Sequence, residues 1–339
     1  MKYGILRYPH QNKRYFDSTS VLLINEFMIM SSALGLDIDK VAYETVGGLE
    51  LLTFETEIIE GDALEAIHRL SSNFVLFQFV GEAIVPMNEG KETYFKNDIS
   101  SILKYSGKTN EDFTSMMINV GVFSSAFAKQ FKEPLNILDP MCGRGTTLYE
   151  GLIKGYNVSG VELKKAECEE IDKYLKRYLK YHKYKHESAH QTIAIKGSGK
   201  GIKYTIETAD STENFKAKNR RKIQFANGNT LNVNNFYKKD SFHVIVTDVP
   251  YGVQHTGGSK AKPVDVLTLL KDASVAWKKV LKKGGTVVIS YNAFTLSKEK
   301  LNEAFEASGY EVLTEGVYGD FEHWVEQAVN REVFVARKK

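Results

Sequence analysis

Two stretches of this sequence place chemically capable groups at turns. "VIVTDVPYG", residues 244–252, ends an apolar run on a carboxylate, a proline-stiffened turn and an aromatic ring. That set suits a weakly nucleophilic amine attacking an electrophilic methyl group. Asp248 and the carbonyl of Val249 can accept hydrogen bonds from the amine and aim its lone pair. Tyr251 can stack on the ring that carries the amine, with Pro250 setting the turn. Alignment alone supplies much of the rate gain in such a reaction, so no strong general base is required. Taken by itself, the stretch also reads as an ordinary turn whose tyrosine packs.

The second stretch, "NILDPMCGRGTTLYEGL" at 136–152, runs from a strand ending in Asp139 through Gly143 and Gly145 into a helix. Open parallel sheets bind nucleotides at such junctions, because glycine lets the backbone approach a ligand and the helix start offers free N–H groups. Glu162 closes the next apolar run, 19 residues past Gly143, where an acid can take both hydroxyls of a ribose. The third glycine of a dinucleotide fingerprint is replaced by Leu148, and no phosphate-binding lysine follows. A nucleoside without phosphates therefore fits better than NAD or ATP. S-adenosylmethionine (SAM) is such a ligand. The plainer alternative is that Gly143 and Gly145 only make the turn.

Positioning these groups falls to the surrounding elements. From residue 134 apolar strands alternate with amphipathic helices: "LNILD", "YNVSGVEL", "RKIQFANG", "FHVIVTD" and "TVVISYN" as strands, with helices between them. This rhythm predicts a doubly wound, mainly parallel sheet. The last two strands, "YEVLTEGVYG" and "REVFVARKK", are expected to form an antiparallel edge hairpin. "QTIAIKGSGKGIKYTIET" interrupts the rhythm as a second hairpin, within an insertion at about 188–220. The first 110 residues lack the βαβ rhythm and read as a small α+β domain. Its elements are a strand "KYGILRY", a helix closed by Gly35, a hairpin turning at Gly47 and Gly48, a helix "DALEAIHRL" and a buried strand "FVLFQFV". "DFTSMMINVGVFSSAFAKQF" is a helix leading into the second part, so the expected division is 1–112 and 113–339.

"DPMCGRGTT" together with "DVPYG" resembles motifs I and IV of the class I SAM-dependent amino-methyltransferases. Their order is similar to that of the RNA methylases of the tRNA guanosine N2-methyltransferase group, over about residues 115–339. The resemblance implies a Rossmann-like methyltransferase fold. It also implies that Asp139, Gly143 and Gly145, with Pro140, Cys142 and Thr146 of the same turn, surround the methionine end of SAM. Glu162 then holds the ribose, while Asp248, Pro250 and Tyr251 meet the target amine. An acid after the third strand usually meets the adenine amine in that group. Asn229 stands there in this chain, and its amide oxygen can also accept. Motif IV usually reads D-P-P-Y-G, and Val249 replaces its first proline. Relatives of this type carry an amino-terminal THUMP domain for RNA. Residues 1–112 have room for a reduced version but show no signature of one.

Charge is distributed unevenly. Residues 1–112 carry 10 Lys/Arg against 17 Asp/Glu, whereas 173–203 carries nine basic residues and the single acid Glu187. The contrast suggests an anionic partner for the basic part. In "DKYLKRYLKYHKYKH", Lys173, Lys176, Arg177 and Lys180 fall close to one helical face with Tyr174, Tyr178 and Tyr181 interleaved, and Lys200 flanks the hairpin tip. Basic groups bind phosphates and tyrosines stack on unpaired bases; a solvated face with its tyrosines turned inward is the alternative. His182, His186 and His190 recur at spacing four, but no acid or cysteine partner lies near, so no metal is expected.

Two cysteines, Cys142 and Cys168, exclude a disulfide framework and point to a reducing, cytoplasmic setting. No apolar run has signal-peptide or membrane-spanning length. The expected activity is methyl transfer from SAM to an exocyclic nitrogen of a nucleobase in RNA, most specifically guanosine N2 in tRNA. Alternatives are a DNA adenine-N6 or cytosine-N4 methyltransferase, a protein glutamine methyltransferase, and a non-catalytic SAM- or RNA-binding protein.

Overall fold

The computed structural model describes residues 1–10, 13–87, 93–105, 107–195, 199–249 and 265–339. Pro250, Tyr251 and the tip of the second hairpin lie outside the described residues.

The amino-terminal part contains β1 (Lys2–Arg7), α1 (Lys13–Ser18), α2 (Ser20–Leu34), β2 (Asp39–Val46), β3 (Leu49–Glu55), α3 (Gly61–His68), β4 (Asn73–Val80), β5 (Ala83–Pro86) and α4 (Asp98–Ser101). Its strands form an antiparallel sheet in the order β2-β3-β1-β4-β5. Gly47 and Gly48, at φ 57° and 84°, make the expected hairpin turn, a turn whose positive φ suits glycine and matches the twist of the strands. The strand "FVLFQFV" is only half buried: Phe74 and Val80 are exposed while Leu76 is buried.

Next comes α5 (Glu111–Ser124), capped by the Asn110 side chain, which accepts from Phe113 N at 3.0 Å. Every residue from Phe113 to Ser124 is buried. A helix buried on all sides must have protein around it. Here α2 packs on one side and the main sheet on the other. Gly121 permits the latter contact, since a Cβ there would stand 2.4 Å from Val244. One apolar cluster runs from Tyr3, Phe27 and Phe54 through Met117 to Val246, Val288 and Val335, so both parts of the chain share a core. Buried Glu26 ties them further, accepting from Ser71 N at 3.0 Å and from Asn119 Nδ2 at 2.6 Å.

The remaining elements are β6 (Asn136–Asp139), α6 (Thr146–Ile153), β7 (Asn157–Glu162), α7 (Lys165–Tyr181), β8 (His186–Ile195), β9 (Gly199–Thr208), α8 (Thr212–Lys216), β10 (Arg221–Asn227), α9 (Val233–Phe236), β11 (Phe242–Asp248), α10 (Val266–Val280), β12 (Leu281–Asn292), α11 (Lys298–Ala307), β13 (Tyr310–Val312), β14 (His323–Glu326) and β15 (Val329–Lys338). The main sheet runs β13-β15-β12-β11-β6-β7-β10-β9-β8. Its centre, β12-β11-β6-β7-β10, is parallel throughout, as the alternating rhythm predicts. The insertion hairpin β8–β9 pairs antiparallel with β10 and prolongs the sheet.

The last two strands pair antiparallel at one edge of the sheet as expected, β13 outermost and β15 inside it, where β15 also runs antiparallel to β12. Two features depart from the expected pattern. Short β14, not foreseen in the sequence, also pairs with β15. The long basic helix stops at Tyr181 instead of continuing to His186. Lys183 adopts φ 59° and turns the chain into β8, which removes His182 and His186 from any shared helical face.

Candidate active site

The chain leaves β6 for β7 and β10 on one side, then crosses to β11 and β12 on the other. The crevice between the carboxyl ends of β6 and β11 is therefore the switch point of the sheet, where open α/β sheets hold ligands. Both sequence motifs converge there. Asp139 ends β6, and Asp248 ends β11 on the adjacent strand. Thr247 Oγ1 donates to Asp139 Oδ1 at 2.9 Å, joining the two strand ends directly.

Asp139 itself is 4% exposed and does not open onto the crevice. Its Oδ1 also accepts from Met141 N at 3.0 Å, which fixes the start of the turn. Buried Pro140 and Cys142 follow, and Cys142 N donates to Val161 O at 3.0 Å. Gly143 and Gly145 take φ 50° and 91°, values that a side chain disfavours. Gly145 then caps α6, and buried Thr146 Oγ1 lies 3.2 Å from the Tyr105 hydroxyl. Glu162, at the end of β7, spans the neighbouring turns. One carboxylate oxygen accepts from Gly143 N at 3.0 Å and the other from Lys164 N at 2.8 Å. Burial raises its pKa, against the opposing effect of those two donors.

These residues fit SAM. Backbone bends sharply at both glycines, an acid stands at the end of the second strand, and the turn's cation is already engaged. Arg144 Nε donates to Glu167 at 2.5 Å, and its guanidinium lies 4.9 Å from the Tyr105 ring centre. Such a turn suits a nucleoside without phosphates better than a phosphate chain. Asn229 is exposed after β10, with its Oδ1 accepting from Leu231 N at 2.9 Å. The amide oxygen thus caps a short turn at the same edge of the sheet.

Burial pushes the Asp139 carboxyl up from 3.8 to about 6, even with Thr147, Met141 and Thr247 donating to it. A folded pKa above the unfolded value stabilises the fold at low pH. That contribution is complete below the unfolded pKa and is lost as pH rises through about 6. Asp139→Asn is therefore expected to raise the stability of the ligand-free protein at pH 8 by on the order of 1–3 kcal/mol. The gain should vanish by pH 4. Thermal melts across that range check this, and a difference independent of pH would show that charge is not its cause.

Asp248 has neighbours that the sequence motif does not announce. Thr109 Oγ1 donates to its Oδ2 at 2.6 Å, and Arg331 Nη2 lies 3.8 Å from the same oxygen. Arg331 is 7% exposed in its side chain and sits over the Phe113 ring, 4.5 Å from the centre. Val249, buried at 3%, donates its N–H to Ser290 O at 3.0 Å, so the first turn residue is locked to β12. Thr109 and Arg331 lie far from Asp248 in sequence, on either side of it. No local spacing connects them to Asp248; only the placement of α5 and the antiparallel course of β15 does.

The basic helix departs from its expected role. Tyr174 and Tyr178 are each 4% exposed, and their hydroxyls donate to Ile99 O and to Asp98 beneath α4. They cannot stack on bases; of the three tyrosines only Tyr181 is exposed. Lys173 pairs with Glu170 at 3.1 Å and Lys176 with Asp172 at 2.8 Å. Arg177 and Lys180 are exposed on the same helix, and Lys200 is exposed at the start of β9. His182 Nε2 lies 3.7 Å from Asp98. Among the described residues, no helix is long and apolar enough to cross a membrane.

Comparison with known proteins identifies the family. Residues 128–316 match the family described as UPF0020: RMKL-like, methyltransferase domain, which is more than half of the 339-residue chain. No curated protein matches the chain. Among solved structures, the chain is similar to TrmN from Thermus thermophilus, with 15% identity and a TM-score of 0.41, over 71% of this chain and 52% of that one. It thus spans about half the length of TrmN. It is also similar to a TehB-like SAM-dependent methyltransferase from Corynebacterium glutamicum, with 17% identity and a TM-score of 0.34, over 61% of this chain and 81% of that one. The matched segment begins just before β6 and contains both strand ends that form the crevice. The chain accordingly belongs to the UPF0020 family of RMKL-like methyltransferase domains and is an enzyme that uses S-adenosylmethionine.

Proposed function

We propose that the protein methylates an exocyclic amino nitrogen of a nucleobase in RNA, and that the most specific substrate is guanosine N2 in tRNA. One observation carries the reading: a carboxylate, Asp248, stands at the switch point beside the glycine turn with one oxygen fixed by Thr109. When bound, the donor supplies an electrophilic methyl group. The chain's residues align the nucleophile. Asp248 accepts a hydrogen bond from the amine, and the locked position of Val249 aims a second acceptor, its carbonyl, at the same nitrogen. As the N–C bond forms and the S–C bond breaks, the nitrogen loses a proton, for which Asp248 is the nearest acceptor in this reading. Asp139 acts as a positioning residue that joins β6 to β11 and sets the turn. Glu162 holds the ribose side, and Gly143, Gly145, Cys142, Pro140 and Thr146 shape the methionine side, with Asn229 near the adenine. Arg177, Lys180 and Lys200 are among the exposed cations of the basic segment that remain for RNA.

Incubation with tritiated SAM and, in parallel, total RNA, total DNA and a protein extract tests this. Label is expected in RNA, recovered after digestion as an N-methylated nucleoside. Label confined to DNA or protein would overturn the choice of substrate.

A further inference from the structure

Opposite the crevice, at the amino ends of β6, β7, β10 and β11, lies a groove of about 860 Å³. Its origin is topological. Parallel sheets are normally covered on both faces, and on one face α7 covers β7 and β10. On the other face the connection from β10 to β11 contains only a short 3₁₀ turn and the four-residue α9. Val233 and Phe236 of α9 cover Val161 and Ala226 near the carboxyl ends. Among the described residues nothing comparable covers the amino half, and Ser159, Gln224 and Lys222 line the groove. Tyr237 closes it at one side, its hydroxyl donating to Gly160 O at 2.8 Å.

The lining is strongly cationic. Lys203, Lys218, Arg220, Arg221, Lys222 and Lys238 contribute to it, against the single carboxylate of Glu207. That acid is divided between Lys222 at 3.0 Å and Arg220 at 3.7 Å. Among the described residues, Lys218 and Lys238 have no ion-pair partner. Lys203 reaches in from the insertion hairpin, donating to Phe236 O at 2.8 Å above the Tyr237 ring. Burial and, after it, the neighbouring Lys222 charge hold its pKa below the ordinary lysine value, while Arg220 is also paired with Glu187 at 2.9 Å.

We infer that this groove is a second RNA contact, in which Lys218, Lys222 and Lys238 grip backbone phosphates on the far side of the sheet from the methyl-transfer crevice. The inference rests on the reading of RNA as substrate. Phosphates need cations rather than base-specific donors, and cations are what the groove offers. At about 3.3 Å per residue, Lys222 and the end of β10 are roughly 17 Å apart. A structured RNA can touch both edges of the sheet, whereas a free nucleoside cannot.

The test uses the full chain with Lys218→Glu/Lys238→Glu. Binding of fluorescent small RNA is measured from low to moderate salt, with duplex DNA of equal length as comparator and SAM affinity followed by calorimetry. The variant is expected to lose at least about tenfold in RNA affinity and to flatten the salt dependence by one to two units of slope, with SAM affinity unchanged. Lys218→Arg/Lys238→Arg should bind RNA as the wild type does, which separates charge from fold damage. Unchanged RNA affinity and slope in the Glu variant would overturn the groove, as would a wild type that does not bind RNA or prefers the DNA. Failure of the substrate reading shows separately, as label appearing in DNA or protein in the tritium experiment.

Discussion

Asp248→Ala should lower the rate of methyl transfer by about three orders of magnitude while SAM binds within about twofold of the wild type. The carboxylate ends β11, held at one oxygen by Thr109 at 2.6 Å and flanked by Arg331 at 3.8 Å. Alanine removes the acceptor that aims the amine and leaves the glycine turn untouched, because that turn is built from Asp139, Glu162 and main-chain bonds. Single-turnover rates with saturating RNA and SAM, set beside calorimetric SAM binding, separate the two effects. Asp248→Asn keeps an acceptor oxygen of the same reach, so an intermediate rate is expected. A rate for the alanine variant within tenfold of the wild type would remove Asp248 from the reaction.

Gly145→Val is the second large effect. At φ 91° a β-branched residue is strained, and its Cβ would stand 3.2 Å from the ring of Tyr149. That ring is 1% exposed and packed against Tyr174, so it has little room to move. Left-handed backbone costs about 1–2 kcal/mol for a non-glycine residue, and crowding in a filled core typically costs about 1–3 kcal/mol. The turn will shift to relieve this, and SAM affinity should fall by at least about thirtyfold, since each 1.4 kcal/mol is tenfold. Gly143→Ala is the comparison, because its Cβ would meet nothing within 4 Å. It should cost only the backbone term. Equal losses at both positions would show that Tyr149 is not the obstacle.

The groups that carry these effects were legible in the sequence because they are local. A strand, a glycine turn and a helix follow one another without interruption at 136–153, and short apolar runs between amphipathic helices marked the central strands. Parallel order then followed from the helices placed between those strands. What the sequence hid depends on distant partners. Tyr174 and Tyr178 read as stacking groups until α4, some 75 residues earlier, supplied Ile99 and Asp98 to their hydroxyls. Thr109 and Arg331 reach Asp248 only after the chain has closed. The groove went unnoticed for the same reason. Its cations are spread from Lys203 to Lys238, and an unusually brief connection between β10 and β11 exposes them together.

The wholly enclosed helix α5 has a consequence for how this enzyme is divided. Cutting the chain at about residue 110 would not release a portable catalytic module. It would strip α2 from α5 and leave Met116, Met117 and Val120 as a greasy flank seeking company, with Asn119 deprived of Glu26. The cut would also remove Thr109, the donor that steadies Asp248. Such a fragment should clump on expression, and heat should melt the intact chain in one step, since its front half serves as the missing wall of the back half.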